Sequence, residues 1–439
     1  MRRVIIAVAS AIALLVLLPQ PGRAEDRPLS ELLSRFFTPE NPLILANPTH
    51  AAHFVAQEGG AFSETVNLLN RNIAYQLSSF PLGSSSGGFT FNLDPTLGTL
   101  SRTTESFGPL FAERALTSGK GKLTVGGSYV RNTFDRFEGR GLDDGSLQLT
   151  LTHFDIPGDN HFEGDLIDSD LFLKLDTDTF AVFANYGVTD RLDIGVAVPV
   201  QRVKMDAVFA LTVLPLATQG DAVPSHFFAG GSLTGQLAES GDASGIGDVV
   251  LRGKLGLTSG DWGGVAAAVD VRLPTGDEEN LLGTGATQVK GFLILSGGKS
   301  KFSPHLNAGY TFTGDSDKLG VLPNELNYAA GFDAAVTPRV TFTADVVGRS
   351  LLDAQRLVTT DVVYRFRRAN EPVGTLPHSV TREEFTSEDG TLNMLLGSVG
   401  LKLNPTGRLL ISANVLFSLS KNNGLQDDIT PVIAIDYNF

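Results

Sequence analysis

The sequence predicts an all-β fold: a transmembrane antiparallel up-and-down β-barrel of about fourteen strands, with twelve as the alternative, preceded by a short helical plug. Three observations predict it. The C-terminal segment alternates without a break and ends on an aromatic residue, the opposite end carries a secretory signal, and the segments between are joined by connections of two distinct sizes.

Residues 429–439 (ITPVIAIDYNF) place Ile429, Pro431, Ile433, Ile435, Tyr437 and Phe439 on one side and Thr430, Val432, Ala434, Asp436 and Asn438 on the other. A period of two puts these sets on opposite faces of a strand, one suited to oil and one to water. Chain termini ordinarily fray in solvent, so a fully apolar face running to the last residue is unusual for a soluble protein. Outer-membrane barrels end this way, their last strand closing against the first. Ile433, Ile435, Tyr437 and Phe439 are therefore the expected signal for the barrel-assembly machinery.

At the other end Arg2 and Arg3 precede an apolar run over residues 4–18, then Pro19, Pro21 and the small-residue site Gly22-Arg23-Ala24. The run is too short for a spanning helix, which needs about 20 residues, and reads as a signal peptide cleaved after Ala24. That gives three expected parts: signal 1–24, plug segment 25–87 and barrel 88–439, exported to the outer membrane of a Gram-negative cell. Removing Arg2, Arg3 and Arg23 leaves 31 basic residues against 48 acidic, a net charge of −17. That sign argues against nucleic acid as a partner. With no cysteine, thiolate metal sites and disulfides are excluded. The expected partners are outer-membrane lipid and lipopolysaccharide, with the protein a monomer.

The wall shows best in residues 302–313 (FSPHLNAGYTFT), where Phe302, Leu306, Ala308, Tyr310 and Phe312 face one way and Ser303, His305, Asn307 and Thr311 the other. Residues 265–273, 326–336, 340–348, 409–419 and 429–439 repeat the pattern. Together the six segments supply 34 apolar-face positions without one charge, in a chain that is 19% charged. About 11 residues at roughly 3.3 Å each, tilted, cross an apolar band of about 25 Å. Tight connections at 187–190, 259–264, 297–301, 337–339 and 404–408 alternate with long ones at 215–244, 274–286, 314–324, 353–390 and 421–428. Short periplasmic turns and long outer loops are the pattern of such barrels. Counting back from the C-terminus gives thirteen segments to residue 122, including 145–154 and 246–258. An even number requires one more, placed near 89–93 (FTFNL).

The N-terminal part differs. Ser30 can cap a short helix (SELLSRFF), and Ser63 can begin a longer one, in which Phe62, Val66, Leu69, Ile73 and Leu77 recur at helical spacing. A Gly/Ser-rich link follows at 83–88. A plug in the lumen is favoured over a separate periplasmic domain, because so short a segment builds little core of its own.

Residues 186–200 (YGVTDRLDIGVAVPV), 245–257 (GIGDVVLRGKLGL), 271–297 (VRLPTGDEENLLGTGATQVKGFLILSG) and 322–349 (LPNELNYAAGFDAAVTPRVTFTADVVGR) resemble a family of outer-membrane transporters named for an association with meta-cleavage phenol degradation. The motifs describe strand-turn-strand units and one outer loop. More distantly, a plug before about fourteen strands is similar to the plan of fatty-acid and toluene transporters. Asn47-Pro48-Thr49 resembles their N-terminal Asn-Pro-Ala, departing at the third position.

On the polar faces, Lys174, Asp176, Asp178, Asp270, Arg272, His305, Asn307, Asp333, Asp345 and Arg349 are the expected lumen lining. Their mixed signs fit a hydrated conduit or a lumen closed by ion pairs. Ser303, His305 and Asn307 could suggest an outer-membrane lipid hydrolase, but residues two apart on a strand lie about 6–7 Å apart, too far for a nucleophile to reach its base. No catalytic residue is assigned. Gly283-Thr284-Gly285 lacks the third glycine of a dinucleotide fingerprint and the Lys-Ser/Thr of a phosphate loop. The acids Asp277, Glu278 and Glu279 match no calcium-loop spacing, so neither cofactor nor metal is expected. Of 28 Phe, eleven lie between Phe36 and Phe137, as packing or as a greasy ligand pocket. The expectation is a passive outer-membrane channel for small hydrophobic or aromatic compounds, with a general porin or a structural barrel as the alternative.

Overall fold

A computed structural model of the chain describes residues 27–37, 43, 45–47, 54, 61–78, 91–94, 99–102, 104–153, 164–217, 224–297, 301–368, 371–372 and 375–439. The expected signal 1–24, Pro48, Thr49 and the expected link 83–88 lie outside them.

Twelve strands close a barrel: β1 (Leu123–Phe134), β2 (Leu166–Gly187), β3 (Leu192–Leu214), β4 (Val250–Gly260), β5 (Gly263–Arg272), β6 (Gln288–Gly297), β7 (Phe302–Thr313), β8 (Asn324–Thr337), β9 (Val340–Phe366), β10 (His378–Leu403), β11 (Leu409–Ser418) and β12 (Ile429–Asn438). Each pairs antiparallel with the next. The last strand returns to the first, Ile433 opposite Tyr129 and Ile435 opposite Gly127. Ile433, Ile435, Tyr437 and Phe439 all point outward and are exposed.

Two further strands complete a fourteen-stranded sheet without entering the closed ring. Residues 147–152 pair with 166–171 of β2, and residues 234–246 pair with 200–212 of β3. The fourteenth strand expected at 89–93 is thus elsewhere. Phe91–Asp94 pairs with Thr99–Arg102 in a separate hairpin, and the strand at 234–246 lies in what the sequence assigns to a loop. Its inward positions include Gly235, Gly241 and Gly245, so it carries no apolar alternation. At Gly241 the space belongs to the N-terminal segment, where a Cβ would stand 3.0 Å from Leu29; at Gly235 and Gly245 it belongs to Phe228 and Leu282.

Around the middle of the barrel the outward side chains form an apolar belt, including Val269, Leu295, Leu306, Leu326, Val346, Val399 and Val415. Aromatic residues flank it, Trp262, Phe302 and Phe439 at the short-turn end and Phe312 at the other, as the interfacial girdles of a membrane barrel do. No described helix is long and apolar enough to cross a membrane; the strands do so.

Strands of 10 residues, such as β5 and β6, span the belt. β2, β3, β9 and β10 have 22, 23, 27 and 26 residues and continue past it at the outer end, where the long connections lie. Their prolongations make a collar, and the N-terminal segment fills it. The expected short helix is two 3-10 turns, Leu29–Glu31 and Leu33–Arg35, since so few residues close few α-type bonds. The longer helix, α1, is Ala61–Ser78. Its Val66, Leu69, Ile73 and Leu77 form one buried core with Leu29, Leu32, Phe36 and Phe37 and with the collar residues Leu171, Leu173, Leu175, Met205 and Phe209. Phe36 and Phe37 pack edge-on against Phe209, centroids 4.7 and 5.3 Å away. Phe36, Phe37, Phe54 and Phe62 therefore pack as core rather than line a pocket.

The collar corrects three of the expected lumen residues. Lys174, Asp176 and Asp178 face outward, while Leu171, Leu173 and Leu175 face in. Lys174 is 62% exposed and sits 3.8 Å from Asp176, and Asp178 accepts a hydrogen bond from the outward-facing Tyr129 at 2.5 Å. No bulge interrupts β2: its odd-numbered residues face inward throughout, from Leu171 to Asn185. Only the surroundings change. Above the belt the outside is water and the inside is apolar α1, so the polar face of the strand is the outer one.

Candidate functional site: a cavity between two lumen closures

Inside the membrane belt the lumen is crossed by a strap, residues 104–118, that the sequence does not announce. The wall begins after it, at β1. The strap lacks regular structure, and wall side chains satisfy its backbone, the condition for irregular chain at membrane depth. The Phe107 amide donates to Thr341 Oγ1 (3.0 Å), the Ala115 amide to Ser296 Oγ (3.0 Å) and the Ser118 amide to Asp193 Oδ2 (2.9 Å). Lys402 Nζ reaches Pro109 O at 2.7 Å, and Lys254 Nζ reaches Leu116 O at 3.1 Å. Asn307 is bound reciprocally: the Glu113 amide donates to its Oδ1 (2.6 Å), and its Nδ2 donates to Glu113 O (3.0 Å). Arg114 is the anchor. Its guanidinium, 1% exposed, pairs with Asp333, 0% exposed, and donates to Thr104 Oγ1 at 2.8 Å and Ser106 Oγ at 2.6 Å.

His305 belongs to the same anchor. Its Nε2 lies 2.5 Å from Asp345 Oδ1, and its Nδ1 lies 3.6 Å from Asp333. Ser303 donates instead to Gly297 O at 3.2 Å, and Asn307 is held by the strap. The three residues do not converge on one another, so they form no triad.

Above the strap lies a cavity of about 230 Å³. Gln76 of α1 and Phe111 and Glu113 of the strap all line it, which places it between the two closures. A row of charged and polar residues circles its wall. Arg252 is opposite Asp270, Asp270 opposite Lys290, Lys290 opposite Thr311, Thr311 opposite Glu325, and Asn327 opposite Arg349. Arg252 holds Asp270 through two bonds of 2.5 Å and also pairs with Glu113. Arg349 Nη2 holds Glu325 at 2.5 Å, and the Tyr75 hydroxyl of α1 donates to the same carboxylate at 2.6 Å. Arg272 donates to Ser78 O, the last residue of α1, at 2.8 Å. Both closures are thus tied to this row.

The structure places Asp270, Arg272, His305, Asn307, Asp333, Asp345 and Arg349 on the inner face, but in two separate sets. Asn307 and Asp333 hold the strap, with His305 and Asp345 beside Asp333, whereas Asp270, Arg272 and Arg349 line the cavity, which Asn307 also borders. Sequence reasoning missed the partners Glu113 and Arg114. The available signal was a charged pair inside a non-alternating stretch (SFGPLFAERALTS) beside the first wall strand.

These features define a transmembrane β-barrel of the outer-membrane type with a lumen closed at two levels. Residues 173–356 match the profile of the family described as "Putative MetA-pathway of phenol degradation", and the resemblance carried by the strand-turn-strand motifs is shown by that match. No curated relative matches the chain in sequence. Among solved structures, the chain is similar to the COG4313 outer membrane channel from Pseudomonas putida F1, with 13% identity, 74% of this chain and 98% of that chain covered, and a TM-score of 0.44. It is also similar to a FadL homologue of Pseudomonas aeruginosa (13% identity, 81% and 95% covered, TM-score 0.32). A third is the toluene transporter TbuX of Ralstonia pickettii (13%, 83% and 100%, 0.29). Likeness this loose carries no conclusion about this chain.

Proposed function

We propose that the protein is a passive outer-membrane channel for small hydrophobic or aromatic molecules, seen here in a closed state. In this reading the signal is cleaved after Ala24, the mature chain is inserted by the barrel-assembly machinery as a monomer, and residues 25–87 act as the plug of a barrel spanning 88–439. The observation that carries it is the manner of closure. A structural barrel has no need of a separate chain segment threaded through its lumen, whereas this strap is irregular chain held there by side-chain hydrogen bonds and the ion pairs of Glu113 and Arg114. The cavity above it is of a size for a single ring, since about 150 Å³ suffices for benzene. The sequence carries no nucleotide-binding motif, which favours movement down a gradient.

The test is single-channel conductance and liposome uptake of labelled monoaromatics, for the whole mature protein and for a variant that lacks residues 30–78 and carries Arg114→Met, so that the strap is released as well. Low conductance with selective uptake in the former, and raised conductance with lost selectivity in the latter, is the expected result. Unchanged conductance in that variant would sink the plug assignment.

A further inference from the structure

We propose that the cavity binds a single-ring aromatic carboxylate, with Lys290 and Arg272 as its anion-binding pair. This rests on the channel reading and narrows it to a substrate class.

The argument starts from what is already neutralised. Asp270 and Glu113 are taken by Arg252, and Glu325 by Arg349 and the Tyr75 hydroxyl. Two cations facing the same cavity are left over. Lys290 makes no ion pair or hydrogen bond among the described residues; its Nζ lies 4.6 Å from the centroid of the Phe292 ring. Arg272 donates to one backbone carbonyl, that of Ser78, and pairs with no described carboxylate. The pairing of Asp270 with Lys290 and of Arg272 with Gln288 makes the two cations diagonal neighbours on the inner face of β5 and β6, with backbones about 7–8 Å apart. Like charges at that separation, drawn from water into a barrel, repel each other and lose hydration. The Phe292 ring beside Lys290 and the C-terminal carbonyl of α1 on Arg272 offset this in part, but neither cation has a carboxylate of its own, Asp270 opposite Lys290 being held by Arg252.

The neutral groups lean the same way, with the unpaired amide nitrogens of Gln76 and Gln288 against one unpaired amide oxygen, that of Gln426. Gln76 and Gln288 line the cavity, are 6% and 5% exposed, and each has a side-chain Nε2 without a hydrogen-bond partner. The cavity's fourth carboxylate, Asp427, is held by the Thr133 and Ile429 amides and the Thr430 hydroxyl, so donors and positive charge are in excess around Lys290 and Arg272, where the complement is a compact group of acceptor oxygens with negative charge. Phe111 and Phe292 supply apolar wall for the rest of the ligand, and the volume limits that remainder to about one ring. A carboxylate is preferred to a phenol because a phenolic hydroxyl, titrating near about pH 10, is uncharged at neutrality.

The experiment uses the whole mature protein in detergent and in liposomes, with benzoate and its neutral near-isostere benzyl alcohol as probes at pH 7. Calorimetry is expected to show benzoate binding at least about tenfold more tightly, roughly 1.4 kcal/mol. Lys290→Met and Arg272→Met should each abolish that preference, and Lys290→Arg should retain it, in variants that keep the heat-modifiable mobility of a folded barrel. Equal binding of the two probes by the unmutated protein, or an unaltered preference in Lys290→Met, would overturn the anion assignment while leaving the channel reading standing. Failure of both probes to bind or to enter liposomes would instead remove the channel reading and this inference with it.

Discussion

The membrane belt and the collar above it are made from the same strands with opposite polarity. In the belt the wall is apolar outside and polar inside; in the collar it is polar outside and apolar inside. Strand β2 passes from one to the other without a change of register, with Asn185 inward at the belt and Leu171, Leu173 and Leu175 inward at the collar. Alternation identifies which residues share a face. Which face is the apolar one depends on what lies on each side, lipid against a polar strap in one region and water against α1 in the other.

The largest expected effect tests the belt. Phe439 completes the apolar face of the closing strand, so its deletion should abolish most of the heat-modifiable, membrane-inserted protein; ordinary yields would mean that β12 closes the barrel without its terminal aromatic. Next is the polar interior of the belt. Arg114→Met leaves Asp333 buried without its cation, at a cost of about 3–5 kcal/mol. In a chain that also lacks residues 30–78 we expect a displaced strap and higher single-channel conductance than the deletion alone gives, and no further rise would show that the strap is not the inner closure.

Two further substitutions probe the inversion directly. Leu173→Ala removes a side chain from the collar core and should destabilise by about 2–5 kcal/mol, read as a lower unfolding midpoint in detergent. Leu306→Arg puts a charge on the lipid face of the belt and should cost about 2–4 kcal/mol, read from folding into liposomes. The smallest effect is the most discriminating: Lys174→Ala, one residue from Leu173, should change stability by no more than about 0.5 kcal/mol. A loss comparable with that of Leu173→Ala would place Lys174 inside and undo the comparison.

Much of the architecture was legible because it is local. The outward faces of residues 302–313, 326–336 and 429–439, the turns between them and the apolar stripe of α1 all follow from the period of side-chain direction, 2 for a strand and 3.6 for a helix. Less legible was the strand at 234–246. Gly241 is dictated by the helical turns packed against it, a contact between residues some 200 positions apart, and Gly235 and Gly245 by Phe228 and Leu282. The strap was hidden for a similar reason: its order comes from Asn307, Ser296, Thr341 and Asp333 on distant strands, not from any pattern of its own.

The sequence by itself determined a β-barrel with an apolar outer belt and a helical N-terminal segment, because lipid imposes the same alternation on every strand that crosses it. Only the tertiary structure decided that twelve strands close the ring and that the collar inverts its polarity. It also sorted the lumen charges into strap anchors and cavity groups. Those outcomes depend on which chain segments occupy the interior, and an interior charge takes its role from the partner opposite it rather than from its place along the strand.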